Sequence, residues 1–242
     1  MSETSEKKRL NQERKTFTLP LFPLRLVMFP GQMLPLHVFE PRYRMMINQC
    51  IADREPFGIV LMRDDIADWR GFNGQVDLPH EIGTTAYIHQ VERLGDGRLN
   101  IVTVGLNRFV IRQLLFDMPY LRAEVEEFPL QAVEDEVLAD DAASLRRLLN
   151  SYVQRLSEVI DAEIDADDMP DEPEELAFLT ASTLQIPWDD KQTLLATADL
   201  SHLVASELEL LGKETMLLGF MHTTEARLDE QVFGVTGMLY PN

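Results

Sequence analysis

The apolar residues of this 242-residue chain change their spacing near Glu134, and that change constrains the fold more than any single motif. Upstream they come in short runs, alternating or continuous and bounded by Gly and Pro, as strands do. Downstream, Leu138, Ala142, Leu145, Leu149, Tyr152, Leu156 and Val159 follow spacings of 4, 3, 4, 3, 4 and 3. That is an apolar stripe about six helical turns long. Leu148, Val153 and Ile160 widen it to the face of a bundle helix. The chain is therefore expected to be α+β, with a β-rich half ending near Pro129 and a helical half after it.

The first half opens on LPLFPLRLVMFPGQMLPLHVFEPRYRMM, from Leu19 to Met46, which holds five of the thirteen prolines: Pro20, Pro23, Pro30, Pro35 and Pro41. Proline fixes φ and removes a donor, so strands here should be short and edge-like. In Phe39-Glu40-Pro41-Arg42-Tyr43 the pattern changes. Glu40 is placed to begin a helix, Pro41 suits its first turn, and Met46, Ile47, Cys50 and Ile51 give it one buried face. Phe57 to Met62 reads as a strand covered on both faces, and Ala86–Glu92 with Leu99–Val104 as a hairpin around Gly95-Asp96-Gly97. Arg108–Ile111 and Tyr120–Val125 add two more strands, so this half should form a closed or half-closed β-barrel. Between Arg63 and Glu81 the period fails, and a loop this long in a compact domain is commonly functional.

The order LPLFPL, V-x-FPG, PL-x-VFEPRY resembles the Lon N-terminal domain family, the substrate-recognition domain of ATP-dependent Lon proteases, also found as a free-standing protein. The likeness continues through Gly83-Thr84-Thr85-Ala86, Asp96-Gly97-Arg98, Gly105-Leu106-Asn107-Arg108-Phe109, Pro119-Tyr120 and Asp190-Lys191-Gln192-Thr193-Leu194-Leu195, covering roughly residues 17 to 211. It implies a PUA-like β pseudo-barrel followed by an α-helical bundle.

In the helical half, DAEIDADDMPDEPEE carries Asp161, Glu163, Asp165, Asp167, Asp168, Asp171, Glu172, Glu174 and Glu175 with no basic residue among them. Such a run repels itself and should be a solvated connection. It does not make a calcium loop, because Ala166 stands where an EF-hand needs Gly and the terminal Glu is displaced to Glu172. Pro173 should start a second helix, Pro187 should end it, and the leucines from Leu194 to Leu217 complete a bundle of about four helices. The divisions expected are a disordered arm over 1–15, the β-rich part over 16–130, the bundle over 131–218 and a strap or tail over 219–242.

A formal net charge of −19 argues against nonspecific binding to nucleic acid or anionic membranes. The charged N-terminus is no signal peptide, no apolar run approaches the ~20 residues of a membrane span, and the single Cys50 cannot form an internal disulfide. A cytoplasmic protein is expected, with Cys50 as a small buried apolar residue.

Nothing in the sequence assembles a catalyst. Leu211-Gly212-Lys213-Glu214-Thr215 lacks the earlier Gly and the Ser/Thr of a P-loop, and His37, His80, His89, His202 and His222 are scattered. No nucleophile is paired with a base, and the Ser–Lys dyad and P-loop ATPase of full-length Lon are missing. The expectation is a non-catalytic module without cofactor or metal. The resemblance implies that it recognises unfolded or tagged polypeptide segments, in company with a Lon-type protease. The alternative is a small-molecule or nucleic-acid binder using the barrel as PUA-like domains do. Trp69 and Phe72 in the long loop are the candidate anchors, or else they plug the loop onto the barrel. Arg42 and Tyr43 join them as candidates from the family motif, and Arg42 alternatively pairs with Glu40 to hold its helix.

Overall fold

The computed structural model describes residues 16–63, 78–131, 136–160 and 169–236. Contacts divide the chain into two units. The first runs to Gln131 and takes in Ile186–Ala198; the second comprises Ala132–Gln185 and the chain from Asp199 onward.

The first unit contains β1 (Phe17–Leu24), β2 (Met33–Val38), α1 (Pro41–Asp53), β3 (Phe57–Leu61), β4 (Ile82–Arg93), β5 (Leu99–Leu115) and β6 (Arg122–Glu127). The sheet order is β2-β5-β4-β3-β1-β6, and β6 also pairs with β5, so five strands close into a barrel and β2 extends it as a flap. One 17-residue strand, β5, serves both structures: Leu99–Val104 pair with β2, and Phe109–Leu115 pair with β6. By its alternation the sequence divides into two strands here, because Gly105 interrupts the pattern.

The prolines find places where a missing donor costs little. β2 is an edge strand and carries Pro35. β1 carries Pro20 and Pro23 inside the closed sheet, but its registers are staggered: Phe17–Pro20 pair with β6 and Leu21–Leu24 with β3. Each half of β1 thus borders one partner in register, which makes it edge-like without being an edge.

Two cores lie on opposite faces of this sheet. Leu19, Leu21, Val60, Phe109, Leu121, Ala123 and Val125 fill the barrel. Gly58 and Gly83 make room for Phe109, since a Cβ on either would stand 2.7 Å from its Cζ. On the outer face, Tyr43, Met46, Ile47 and Cys50 of α1 pack against Phe22, Val38, Phe57, Ile59 and Ile101. Burying each large α1 side chain contributes on the order of 2 kcal/mol. Glu40 is the N-cap and Pro41 sits in the first turn, as expected, and Arg54 in the left-handed region ends the helix.

Two separated motifs meet in one contact. Gly31, at φ +77°, follows Phe29-Pro30 in a turn and donates its amide to Gly105 O (3.0 Å), while the Gly105 amide donates to Gln32 O (2.9 Å). A side chain on Gly105 would run into the Phe29 carbonyl.

The helix α4 (Trp188–Ala196) corrects the expected boundary. It belongs to the barrel unit and not to the bundle. Gln192 Nε2 donates to Ile82 O (3.0 Å), and Arg108 Nη1 donates to Leu195 O and Thr197 O, both at 2.6 Å. Those carbonyls lie at the C-terminal end of α4, where backbone acceptors lack helical partners and the dipole favours a cation. Apolar spacing shows that a helix has a buried face, not which element it faces.

Among the described residues the second unit contains α2 (Glu136–Ile160), α3 (Pro173–Thr183) and α5 (Leu200–Thr236), three helices where about four were expected. Leu145, Leu149, Tyr152 and Leu156 of the α2 stripe are buried, with Leu176, Ala177 and Phe178 of α3 and Leu203, Val204 and Leu211 of α5. The Gln185 amide donates to Tyr152 Oη (3.0 Å), and Arg146 donates to Met169 O and Pro170 O. Asp171, Glu172, Glu174 and Glu175 are exposed; residues 161–168 lie outside the described residues. The helix α5 runs to Thr236, where a strap or tail was expected. After Gly219 the apolar period weakens, but no proline comes before Pro241 to stop a run of helix formers.

Candidate recognition surface

The strands β2, β5 and β4 form a three-stranded ribbon with two distinct faces. Its rows follow from the register: Met33, Val104 and Tyr87; Pro35, Val102 and Gln90; His37, Asn100 and Glu92. Paired residues in an antiparallel sheet share a face, and alternate positions return to it. The intervening residues Leu34, Leu36, Ile88 and Ile101 pack on the α1 core. The named rows therefore face outward, with Met33 58% and Tyr87 46% exposed. The β4 bulge between Ile88 and Gln90 sets this arrangement. The extra residue shifts the alternation, bringing Gln90 and Glu92 onto the same face as Tyr87.

A groove of about 330 Å³ runs along this face, lined by Pro35, Leu36, His37, Gln90, Glu92, Asn100, Ile101 and Val102. Its polar end is ordered by a chain of hydrogen bonds. Arg98 Nη1 lies 3.3 Å from His37 Nε2, and His37 Nδ1 lies 2.7 Å from Asn100 Oδ1. Asn100 Nδ2 in turn donates to Glu92 Oε2 (2.7 Å). Arg98 is also bound through Nε to Asp96 (2.6 Å), and the Arg98 amide and guanidinium hold the Asp96 carboxyl below its usual range. Beyond the groove, Phe39 is 59% exposed, its ring 6.0 Å from that of His37.

Of the residues singled out from sequence, Arg42 and Tyr43 have structural surroundings. Tyr43 is buried and stacks on Phe22 at 4.3 Å, so it offers no ring to a partner. Arg42 bonds Glu40 (2.9 Å) and lies 4.7 Å from the Tyr43 centroid, which fastens the first turn of α1. Trp69 and Phe72 lie outside the described residues. On either side of that stretch, Met62 and Pro79 form a bridge and the His80 amide donates to Leu61 O (2.8 Å). The buried Cys50 thiol is pushed up to about 11 by burial, which suits a core residue and not a nucleophile. Among the described residues no cluster of His, Cys, Asp and Glu is placed to hold a metal, and no helix is long and apolar enough to cross a membrane.

Residues 18–213 match the family described as the ATP-dependent protease La (LON) substrate-binding domain. The chain belongs to the Lon substrate-binding domain family. It is 30% identical over 216 residues to a Lon protease of Anaeromyxobacter dehalogenans, and likewise to Lon protease 2 of Myxococcus xanthus. Each match covers 86% of this chain and 25% of the relative, so the chain spans about a quarter of their length. Among solved structures, the fold is shared with the N-terminal domain of a Mycobacterium avium complex Lon protease, at TM-score 0.62, 21% identity and coverage of 81% and 98% of the two chains. A Lon N-terminal domain protein from Xanthomonas campestris aligns at TM-score 0.56 and 22% identity, covering 80% and 98%.

In this Lon domain the motifs that carried the resemblance are structural. FPG meets Gly105, Arg108 binds the end of α4, and Gln192 returns α4 to β4. The outward rows were missed because MLPLHV is apolar at nearly every position, which hides which alternate set faces out. The polar residues at Gln90, Glu92 and Asn100 were the available signal, but the bulge breaks their period.

Proposed function

We propose that this chain recognises unfolded or tagged polypeptide segments through an apolar surface on its barrel unit. It would act without catalysis of its own, in the cytoplasm, alongside a Lon-type protease. Membership in a substrate-binding domain family implies a role in substrate recognition. The observation that carries the finer reading is the outward face of the β2–β5–β4 ribbon, where Met33, Pro35 and Tyr87 stand exposed around a groove. Exposed apolar side chains grouped beside a few fixed polar groups suit contact with protein. Trp69 and Phe72 are kept as second anchors within the same proposal. The small-molecule and nucleic-acid reading finds less support, since Phe109 and its neighbours fill the barrel and the chain carries −19.

The test is a titration of a fluorescent, permanently unfolded polypeptide against three proteins: wild type, Met33→Ser/Tyr87→Ser and Trp69→Ala/Phe72→Ala. Loss of one aromatic or large apolar anchor costs about 1–3 kcal/mol, so the ribbon double variant should bind at least tenfold more weakly. Moderate salt should change little, because apolar burial supplies the affinity. Unchanged affinity in both folded variants, or binding abolished by moderate salt, would overturn the placement.

A further inference from the structure

Resting on that reading of the ribbon face, we propose that its groove selects extended segments in which a Lys or Arg follows apolar side chains at alternate positions. The groove, at about 330 Å³, lies at the small end of ligand-sized cavities and runs along an exposed sheet face. Such a shape takes side chains from an extended chain. The occupant docks on the face and not by adding a strand, because Pro35 interrupts the donors of the β2 edge at its middle.

Charge decides the rest. Among the described residues, Glu92 is the only carboxylate lining the groove, and no Lys or Arg lines it. The nearby guanidinium of Arg98 is committed to Asp96 and His37. The hydrogen-bond chain through His37 and Asn100 ends on one oxygen of Glu92 and fixes the carboxylate in place. A protein of net charge −19 adds to the same sign of field. A cationic side chain is thus favoured beside Glu92, and an anionic one is repelled.

The geometry also gives a spacing. The three outward rows follow each other every second residue along β2 and β5, roughly 7 Å apart. An extended segment lying along β5 repeats its own side chains at the same interval. Apolar side chains at positions i and i+2 meet the rows of Met33 and Pro35, and the basic one at i+4 meets the row of Glu92.

The experiment uses three fluorescein-labelled peptides of Gly and Ser with Leu at i and i+2 and Lys, Gln or Glu at i+4. Each is titrated by anisotropy against wild type, Glu92→Gln and Glu92→Lys, with the fold of each variant checked by circular dichroism. Gln at 92 keeps an acceptor for Asn100 while removing the charge, so it remains decisive if the Lys variant misfolds. On wild type the Lys peptide should bind about tenfold more tightly than the Glu peptide. Glu92→Gln should abolish that preference and Glu92→Lys reverse it. A preference that survives both substitutions overturns the proposal, as do equal affinities for all peptides on wild type. If the peptides fail while unfolded polypeptide still binds, the groove proposal alone falls. If neither binds, the recognition reading itself falls.

Discussion

Arg108 in the barrel unit and Glu207 in the helical unit are both buried charged residues, and the two units treat them in opposite ways. Arg108 donates two 2.6 Å bonds to the carbonyls of Leu195 and Thr197, and its guanidinium lies 4.7 Å from the Phe128 centroid. Glu207 is fully buried, with no hydrogen-bond partner for either carboxyl oxygen among the described residues, on the α5 face of Leu203, Val204 and Leu211. Burial raises its pKa well above the ordinary carboxylate value, because desolvation penalises the charged form. A buried polar group costs stability unless it is bonded. The barrel unit turns that requirement into a clamp, and there residue identity matters. The helical unit leaves its carboxyl to burial alone, which favours the protonated form.

Removing the clamp should have the largest effect. Arg108→Met keeps an apolar stem but leaves Leu195 O and Thr197 O without this donor. The expected cost is about 3 kcal/mol, with faster amide exchange in α4. Urea unfolding and hydrogen exchange measure both; an unchanged α4 in a folded variant would break the comparison.

Glu207 should give a smaller effect of opposite sign. Its folded pKa lies above the 4.5 of the free carboxyl, so below pH 4.5 both states hold the proton. As pH rises past that value the unfolded chain releases its proton first, and stability falls by up to about 1.4 kcal/mol per pH unit until the folded group also ionises. Glu207→Gln should flatten this decline, and Glu207→Leu should flatten it and add about 1–2 kcal/mol at pH 7. A wild type with no such slope between pH 4.5 and 7 would show that Glu207 has a counter-charge.

The same contrast explains what could be read in advance. The strand-to-helix division near Glu134, the Glu40-Pro41 helix start and the hairpin around Asp96 were legible because they rest on local spacing and turn chemistry. The stripe of α2 was legible too, because Leu145, Leu149, Tyr152 and Leu156 recur on one side of a helix. The allegiance of α4 was not, since it depends on Arg108 and Gln192 reaching partners 87 and 110 residues away in sequence. The outward face of the ribbon stayed hidden for a similar reason. One bulged residue in β4 decides whether Glu92 faces the groove, and a bulge leaves no mark in the apolar pattern.

Arg42 gives the smallest effect and sharpens the comparison from the other side, as a charged residue that is partnered yet not fully buried. Its side chain is 17% exposed, its guanidinium lies 2.8 Å from Glu40 and its plane is close to Tyr43. An ion pair open to solvent contributes little, and a cation over an aromatic ring adds a similar amount. Arg42→Ala should therefore cost about 0.5–1 kcal/mol. The loss should appear as fraying of the first turn of α1, read by amide exchange at Arg44 and the residues after it. Binding of the unfolded polypeptide should not change, because Tyr43 stays packed on Phe22 and the groove lies on the opposite face of the ribbon from α1. A folded Arg42→Ala protein with intact α1 and tenfold weaker binding would return Arg42 to the recognition surface and place the contact near the start of α1.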